Sequence, residues 1–281
     1  MKQVSSFRSR VHPLIIAFVI SLIAGEASSN DFNSVGLGAT YNTGIYFGQE
    51  DFIEPYPLID LSYGGFFIKD KIVGWTAYTR ENISVALIAT QNEYFLDMNE
   101  INEGSKDIYV GVGSRDRAIE AGFLYTYNSP VGAITWEYFK DVSNTYGGMH
   151  NIVRLARETG SPNGLSITPS IYVHYFTSAF NDYYYGVSGL ENERGLAIVK
   201  NRAENPRPNL TSTEFEEFRP EFEGQNSGHL GIDVWIKKPY TKNIVGTLYL
   251  GWEEVLGEVN NSPLVEDTAR YTFRLGAEYR F

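Results

Sequence analysis

The end of the chain, Tyr271–Phe281, alternates without interruption: Tyr271, Phe273, Leu275, Ala277, Tyr279 and Phe281 interleave with Thr272, Arg274, Gly276, Glu278 and Arg280. A period of two puts one set on each face of an extended strand, and no helix can use such a pattern. The alternation recurs along the chain. Val35, Leu37, Ala39 and Tyr41 form one such run, and Ile59, Leu61, Tyr63 and Phe67 another. Val73, Trp75 and Ala77 are a weaker case, followed by Ile83, Val85, Leu87 and Ala89. Ile119 to Tyr127 and Ile134, Trp136 and Tyr138 flank Asn128-Ser129-Pro130 and read as a hairpin. Met149, Val153 and Leu155, then Leu165 to Tyr175, Leu230 to Ile236 and Ile244 to Trp252 complete the series, with Ile108–Gly113 a doubtful member.

The beginning of the chain carries export information. Lys2, Arg8 and Arg10 precede the apolar run Leu14–Gly25, and small residues at Gly25 and Ala27 suit cleavage after Ala27. This predicts a signal peptide over 1–27 and one mature domain over 28–281. The run is too short to span a bilayer as a helix, and nothing after it approaches the length a transmembrane helix needs. The chain holds 23 basic and 34 acidic residues, and loss of Lys2, Arg8, Arg10 and Glu26 with the leader leaves 20 and 33. That excess of acid argues against a nucleic-acid partner. The absence of cysteine excludes disulfides, thiolate metal sites and a thiol nucleophile.

An exported chain of alternating strands, with 20 Tyr, 17 Phe and 27 Gly, fits an outer-membrane wall with aromatic girdles. The expected fold is all-β, an antiparallel transmembrane β-barrel in the bilayer of the outer membrane. Each strand of about nine to eleven residues makes one tilted crossing. Closure pairs the backbone amides without water. An even count of about twelve strands is expected with both termini in the periplasm, ten and fourteen staying open. The terminal strand, with Gly276, Tyr279 and a closing Phe281, resembles the signal by which such barrels reach their insertion machinery. Counting back from Phe281 puts the tight turn Pro239–Asn243 inside and the long segments Glu254–Thr268 and 178–227 outside the cell.

Segment 178–227 is acidic and aromatic. Phe215, Phe218 and Phe222 have the spacing of one helix face, which Pro220 would break. Two readings are a docking surface and a loop that folds inward to pack its aromatics on the lumen wall, the second being favoured. No calcium-loop spacing is present. His150, His174 and His229 fall on polar strand faces and point into the lumen. His174 near Ser170, or His229 near Asp233, would be the nominees for hydrolysis. A salt-bridge network with Glu120, Glu137, Arg154, Lys237, Arg274 and Glu278 is the simpler expectation. The histidines lack a shared local spacing for zinc, and Gly36-Leu37-Gly38 opens no helix for a dinucleotide. No catalytic, metal or cofactor site is therefore expected.

Tyr183-Tyr184-Tyr185-Gly186-Val187, the run Asn261–Asp267 with Ser262 and Pro263, and the closing Gly276, Tyr279 and Phe281 together resemble the MipA/OmpV family of outer-membrane proteins. Pro55, Pro57, the stretch Gly113–Gly122 and Pro169 follow in the order expected of that family. The resemblance covers essentially the whole mature chain. It implies a non-enzymatic barrel whose best-described member joins a murein hydrolase to a murein synthase. It also makes these motif residues the candidates for partner contact or assembly. The acidic insert over 191–223 departs from the compact family pattern. A small channel is the alternative function, and an outer-membrane hydrolase a further one.

Overall fold

Ser34 to Asn42 pair in unbroken antiparallel register with Arg280 to Thr272, so the first strand of the sheet meets the last. The computed structural model describes residues 33–161, 164–201 and 212–281. The leader expected over 1–27 and the prolines Pro206 and Pro208 lie outside the described residues. In chain order the strands are β1 (Ser34–Asn42), β2 (Phe52–Tyr63), β3 (Phe66–Lys69), β4 (Ile72–Arg80) and β5 (Ile83–Gln91). Next come β6 (Ile119–Ser129), β7 (Gly132–Asp141), β8 (Met149–Ala156), β9 (Thr159–Gly160) and β10 (Ser166–Phe176). The last three are β11 (Ser227–Pro239), β12 (Ile244–Leu256) and β13 (Ala269–Arg280). Sequential neighbours pair, β8 and β11 both flank β10, and β13 returns to β1. The result is a closed antiparallel barrel of twelve strands, with the two-residue β9 as an extra rung on β10.

The alternation read from the sequence sorts the two surfaces. Val35 and Leu37 on β1, Leu87 on β5, Val153 on β8, Ile171 and Val173 on β10 and Phe273 and Leu275 on β13 are exposed on the outer face. Thr40, Glu120, His150, Ser170, Asp233 and Glu278 are buried and turn to the lumen. An oily outside and a polar inside invert the arrangement of a water-soluble domain and match a lipid-embedded wall. Tyr63, Phe66, Trp75, Tyr127, Tyr279 and Phe281 form an exposed aromatic belt at the end where β1 begins and β13 finishes.

Two expectations need correction. Phe67 does not continue the outward series of Ile59, Leu61 and Tyr63, because Gly64 and Gly65 take positive φ (58° and 90°) and turn the chain into β3. Phe67 instead packs inside, against the cluster of Ala86, Ile88 and Phe139. Ile108–Gly113 is no strand but a string of turns, with Ile108, Tyr109 and Val112 buried against neighbouring loops. The weak period over Val73, Trp75 and Ala77 has its own cause, a register shift between Thr76 and Tyr78.

Segment 178–227 is partly helical. It holds α1 (Ser178–Tyr185), α2 (Gly189–Lys200) and α3 (Ser212–Phe218). Ser188 begins α2 with a reciprocal capping box to Glu191. The last of the three stops two residues before Pro220, as the missing N–H requires.

Candidate functional site

The end opposite the start of β1 and the finish of β13 is closed by an apolar plug. Loops 43–51, 92–118, 142–148 and 257–268 contribute Tyr46, Leu96, Tyr146 and Leu264, and α1 contributes Phe180, Tyr184 and Tyr185, all buried. Tyr94 meets Phe180 edge to face with ring centroids 5.0 Å apart. Several polar atoms of this plug are satisfied within it, whereas the buried Tyr185 hydroxyl has no hydrogen-bond partner. The Tyr46 hydroxyl donates to the Tyr184 carbonyl (3.0 Å), Ser262 Oγ to the Tyr185 carbonyl (2.6 Å), and Asn92 Nδ2 to the Tyr184 hydroxyl (2.9 Å). Burial pushes the phenols of Tyr46, Tyr184 and Tyr185 up, so they stay neutral.

The motif residues of this region therefore meet in space. The Tyr183 hydroxyl accepts from Asp116 N (2.9 Å). Gly186 N–H donates to the Asp182 carbonyl at the end of α1, and Val187 bridges to Phe222. Pro263 follows Ser262 half-buried beside the plug. Gly276, Tyr279 and Phe281 lie on β13 and beyond it, toward the opposite end. The inward packing expected of the aromatic loop is thus what its first helix does.

Beneath the plug runs a chain of polar side chains that sequence spacing did not show. Glu120 accepts from the Tyr146 hydroxyl (2.8 Å) and Asn92 Nδ2 (3.1 Å), and lies 3.0 Å from His150 Nε2. His150 Nδ1 lies 2.8 Å from His174 Nε2, and His229 Nδ1 2.9 Å from Glu253 Oε1. His174 Nδ1 in turn lies 3.9 Å from Glu253 Oε2, so the two histidines link Glu120 to Glu253 across the lumen. The convergence comes from register: His174 stands opposite His229 across β10 and β11, and Phe176 opposite His150 across β10 and β8. Period two could place each histidine on an inner face, but only strand pairing could bring three strands into line. Among the described residues no group of three or more His, Cys, Asp or Glu side chains has the arrangement of a metal site.

The hydrolase pairs considered above do not form. Ser170 Oγ donates to Asp233 Oδ1 (2.6 Å) and accepts from Arg154 Nη1 (2.6 Å), while Arg154 also pairs with Asp233. A serine held this way has no imidazole base in hydrogen-bond contact. His229 pairs with Glu253 rather than Asp233.

Below this layer lies a chamber of about 640 Å³, walled by Tyr56, Tyr172, Trp235 and Tyr249 and by Lys71, Arg154, Arg270 and Arg274 facing Glu93 and Asp233. It extends toward the end where β13 finishes as far as Lys69, Ala133, Ala156 and Thr168. Glu93 enters from the loop after β5 and pairs with Lys71 (3.1 Å) and Arg274 (3.4 Å). Burial works against its charge, but Arg274, Lys71 and Arg270 hold its carboxyl down at about 2. Cations and carboxylates thus pair within the lumen of an aromatic-lined chamber.

The family model described as MltA-interacting protein MipA matches residues 35–281. The chain is 23% identical over 271 residues to "Putative outer membrane protein YiaT" of Escherichia coli O157:H7, covering 95% of this chain and 98% of that protein. It is 21% identical over 281 residues to the "24 kDa outer membrane protein" of Pasteurella multocida strain Pm70, with the same coverage. Among solved structures, the NanC porin aligns with 89% of this chain and 100% of its own at a TM-score of 0.43 and 9% identity. A match over residues 35–281, on a wall that is oily outside and polar within, makes this protein an outer-membrane β-barrel belonging to the MipA family.

Proposed function

We propose that this barrel is a non-conducting, non-enzymatic protein that gives periplasmic murein-processing enzymes a fixed docking point at the outer membrane. The observation that carries this reading is the plug. Four loops converge on Phe180, Tyr184 and Tyr185 of α1, and among the described residues they fill the outer mouth with buried apolar side chains. A lumen stopped in this way offers a hydrated solute no through path. The family description names an interaction with MltA. The partner class carried over is a murein hydrolase, and through it a murein synthase. In this reading Tyr183–Val187, Ser262 and Pro263 hold the plug that keeps the barrel rigid, while Gly276, Tyr279 and Phe281 serve recognition by the insertion machinery.

Single-channel recording tests the first half. Purified protein gives no steady conducting steps, whereas Phe180→Ala with Tyr184→Ala opens the mouth and gives them. Steady steps from the unaltered protein would instead favour a small channel. The second half is tested in intact envelopes, with photo-crosslinkers at the short turns, at Val131 and Tyr240. Capture of a murein hydrolase or synthase is expected, and recovery of neither removes the scaffold role.

A further inference from the structure

Five charged side chains, drawn from β2, β13, the turn between β3 and β4 and the loop after β5, form one string of alternating sign. Arg117 pairs with Glu54 (2.9 Å), Glu54 with Lys71 (3.7 Å), Lys71 with Glu93 (3.1 Å) and Glu93 with Arg274 (3.4 Å). The string stands where the wall lacks a strand. Because β3 pairs only with Asp60 to Tyr63, Phe52–Ile59 of β2 have β1 on one side and, among the described residues, no strand on the other.

A cavity lies at each end of the string. Glu54 and Arg117 belong to the walls of a side cavity of about 480 Å³, together with Asp97, Glu100, Arg115 and Asp116. Its rim residues Ser114 and Asp116 are exposed, so water reaches it. At the other end Lys71, Glu93 and Arg274 belong to the wall of the 640 Å³ chamber. That chamber is itself wet from the end where β13 finishes, since Lys69 shares the inner face of β3 with Phe67 and is exposed. The plug stops the axis of the barrel, but here a row of side chains, not a ladder of backbone hydrogen bonds, stands between the two cavities.

Those side chains are within reach of solvent. Glu54, Lys71, Glu93 and Arg117 are each 22–32% exposed, and ion pairs open to water part readily because solvent replaces the lost partner. Charge selects the sign of a solute. The side cavity sets four carboxylates against two guanidinium groups, and Glu191 further neutralises Arg115 at 2.8 Å. A cleft with excess carboxylate concentrates cations.

We propose that the string gates a side route by which small hydrated cations pass between the side cavity and the chamber, around the plug. Lys71 is its central member, because one ammonium neutralises Glu54 and Glu93 together. When Lys71 swings away, two carboxylates flank the opening and a passing cation takes its place. The string is closed in this structure and opens only briefly, so the unaltered barrel gives no steady conducting steps.

Single-channel recording of the full-length refolded barrel tests this. Lys71→Ala leaves Glu54 and Glu93 bare, and is expected to give steady steps that pass potassium several-fold better than chloride. Glu54→Ala leaves Arg117 beside Lys71, and is expected to give steps without that preference. The chain has no cysteine, so Ser114→Cys added to Lys71→Ala puts a single thiol on the rim of the side cavity. A thiosulfonate reagent bearing a trimethylammonium group is expected to cut the current several-fold there, and to leave it unchanged at Tyr240→Cys in a distant turn. Folded, heat-modifiable Lys71→Ala protein that stays silent overturns the side route and leaves the docking role standing. Steps that the reagent at position 114 does not alter overturn it as well. If Lys71→Ala does not fold, Lys71→Gln, which loses the charge and keeps most of the stem, is recorded in its place on the same criteria.

Discussion

Ser34 and Glu278 stand 244 positions apart in the chain, and the hydroxyl of one donates to the carboxylate of the other across 2.8 Å. Thr247 on β12 donates to the same carboxylate at 2.6 Å, and Lys237 on β11 pairs with it at 3.0 Å. A buried charge at the seam of the barrel is thereby satisfied from β1, β11 and β12 together, the arrangement that lets a carboxylate stay ionised away from water.

Glu278→Ala strands Lys237 and two hydroxyls, and should lower stability by roughly 1–3 kcal/mol. The measurement is the urea midpoint of the heat-modifiable folded form in detergent, with Glu81→Ala in an exposed turn as the unchanged control. Glu278→Gln, which keeps acceptor and shape, should fall between the two. An unaltered midpoint in the alanine variant would mean the seam does not depend on this carboxylate.

A β-carbon at Gly276 would lie 2.5 Å from Leu58 Cδ1 and 2.7 Å from Gly38 Cα. Gly276→Val should therefore cut the folded fraction more than Gly276→Ala, and Leu58→Ala should restore part of it. Refolding into detergent without insertion machinery separates packing from signal recognition. No rescue by the shortened leucine would leave the requirement for glycine to recognition or to the Gly38 backbone.

Deleting Phe281 should impair assembly in cells more than deleting 191–223. Phe281 N–H donates to the Asn33 carbonyl at 3.0 Å beside the seam, and its exposed ring is open to the recognition by insertion machinery proposed above. Helices α2 and α3 sit beyond the barrel wall, although Arg115 would lose its 2.8 Å partner Glu191. Equal yields of heat-modifiable protein from the two deletions would contradict this order.

Acid should loosen the loop that enters the chamber. The folded carboxyl of Glu93 titrates at about 2, below its unfolded value of roughly 4.3. Its contribution to stability is therefore fully present above the unfolded value and is lost as the pH falls toward 2. Glu93→Gln should flatten that part of the acid-unfolding curve, followed by the heat-modifiable fraction. Superimposable profiles for the two proteins would show that Glu93 does not set the acid limit.

The wall was legible because burial in lipid demands the same choice at every second residue. Leu37, Leu87, Val153 and Leu275 could each be assigned outward from their neighbours alone, as could His150, His174 and His229 inward. Where a glycine pair or a bulge shifts the phase, as before Phe67 and after Thr76, local reading lost the face, since a period says nothing about a turn hidden within it.

The amino-acid sequence by itself determined the strand class, the oily and polar faces, the number of crossings near twelve and the family, because these depend on patterns among near neighbours. Tertiary structure decided what the lumen holds. The Glu120–His150–His174 chain, the serine locked between Arg154 and Asp233 and the plug on Phe180 all arise from register between strands and from distant loops meeting. Those contacts are set by the closure of the whole sheet, and no stretch of the chain taken alone contains them.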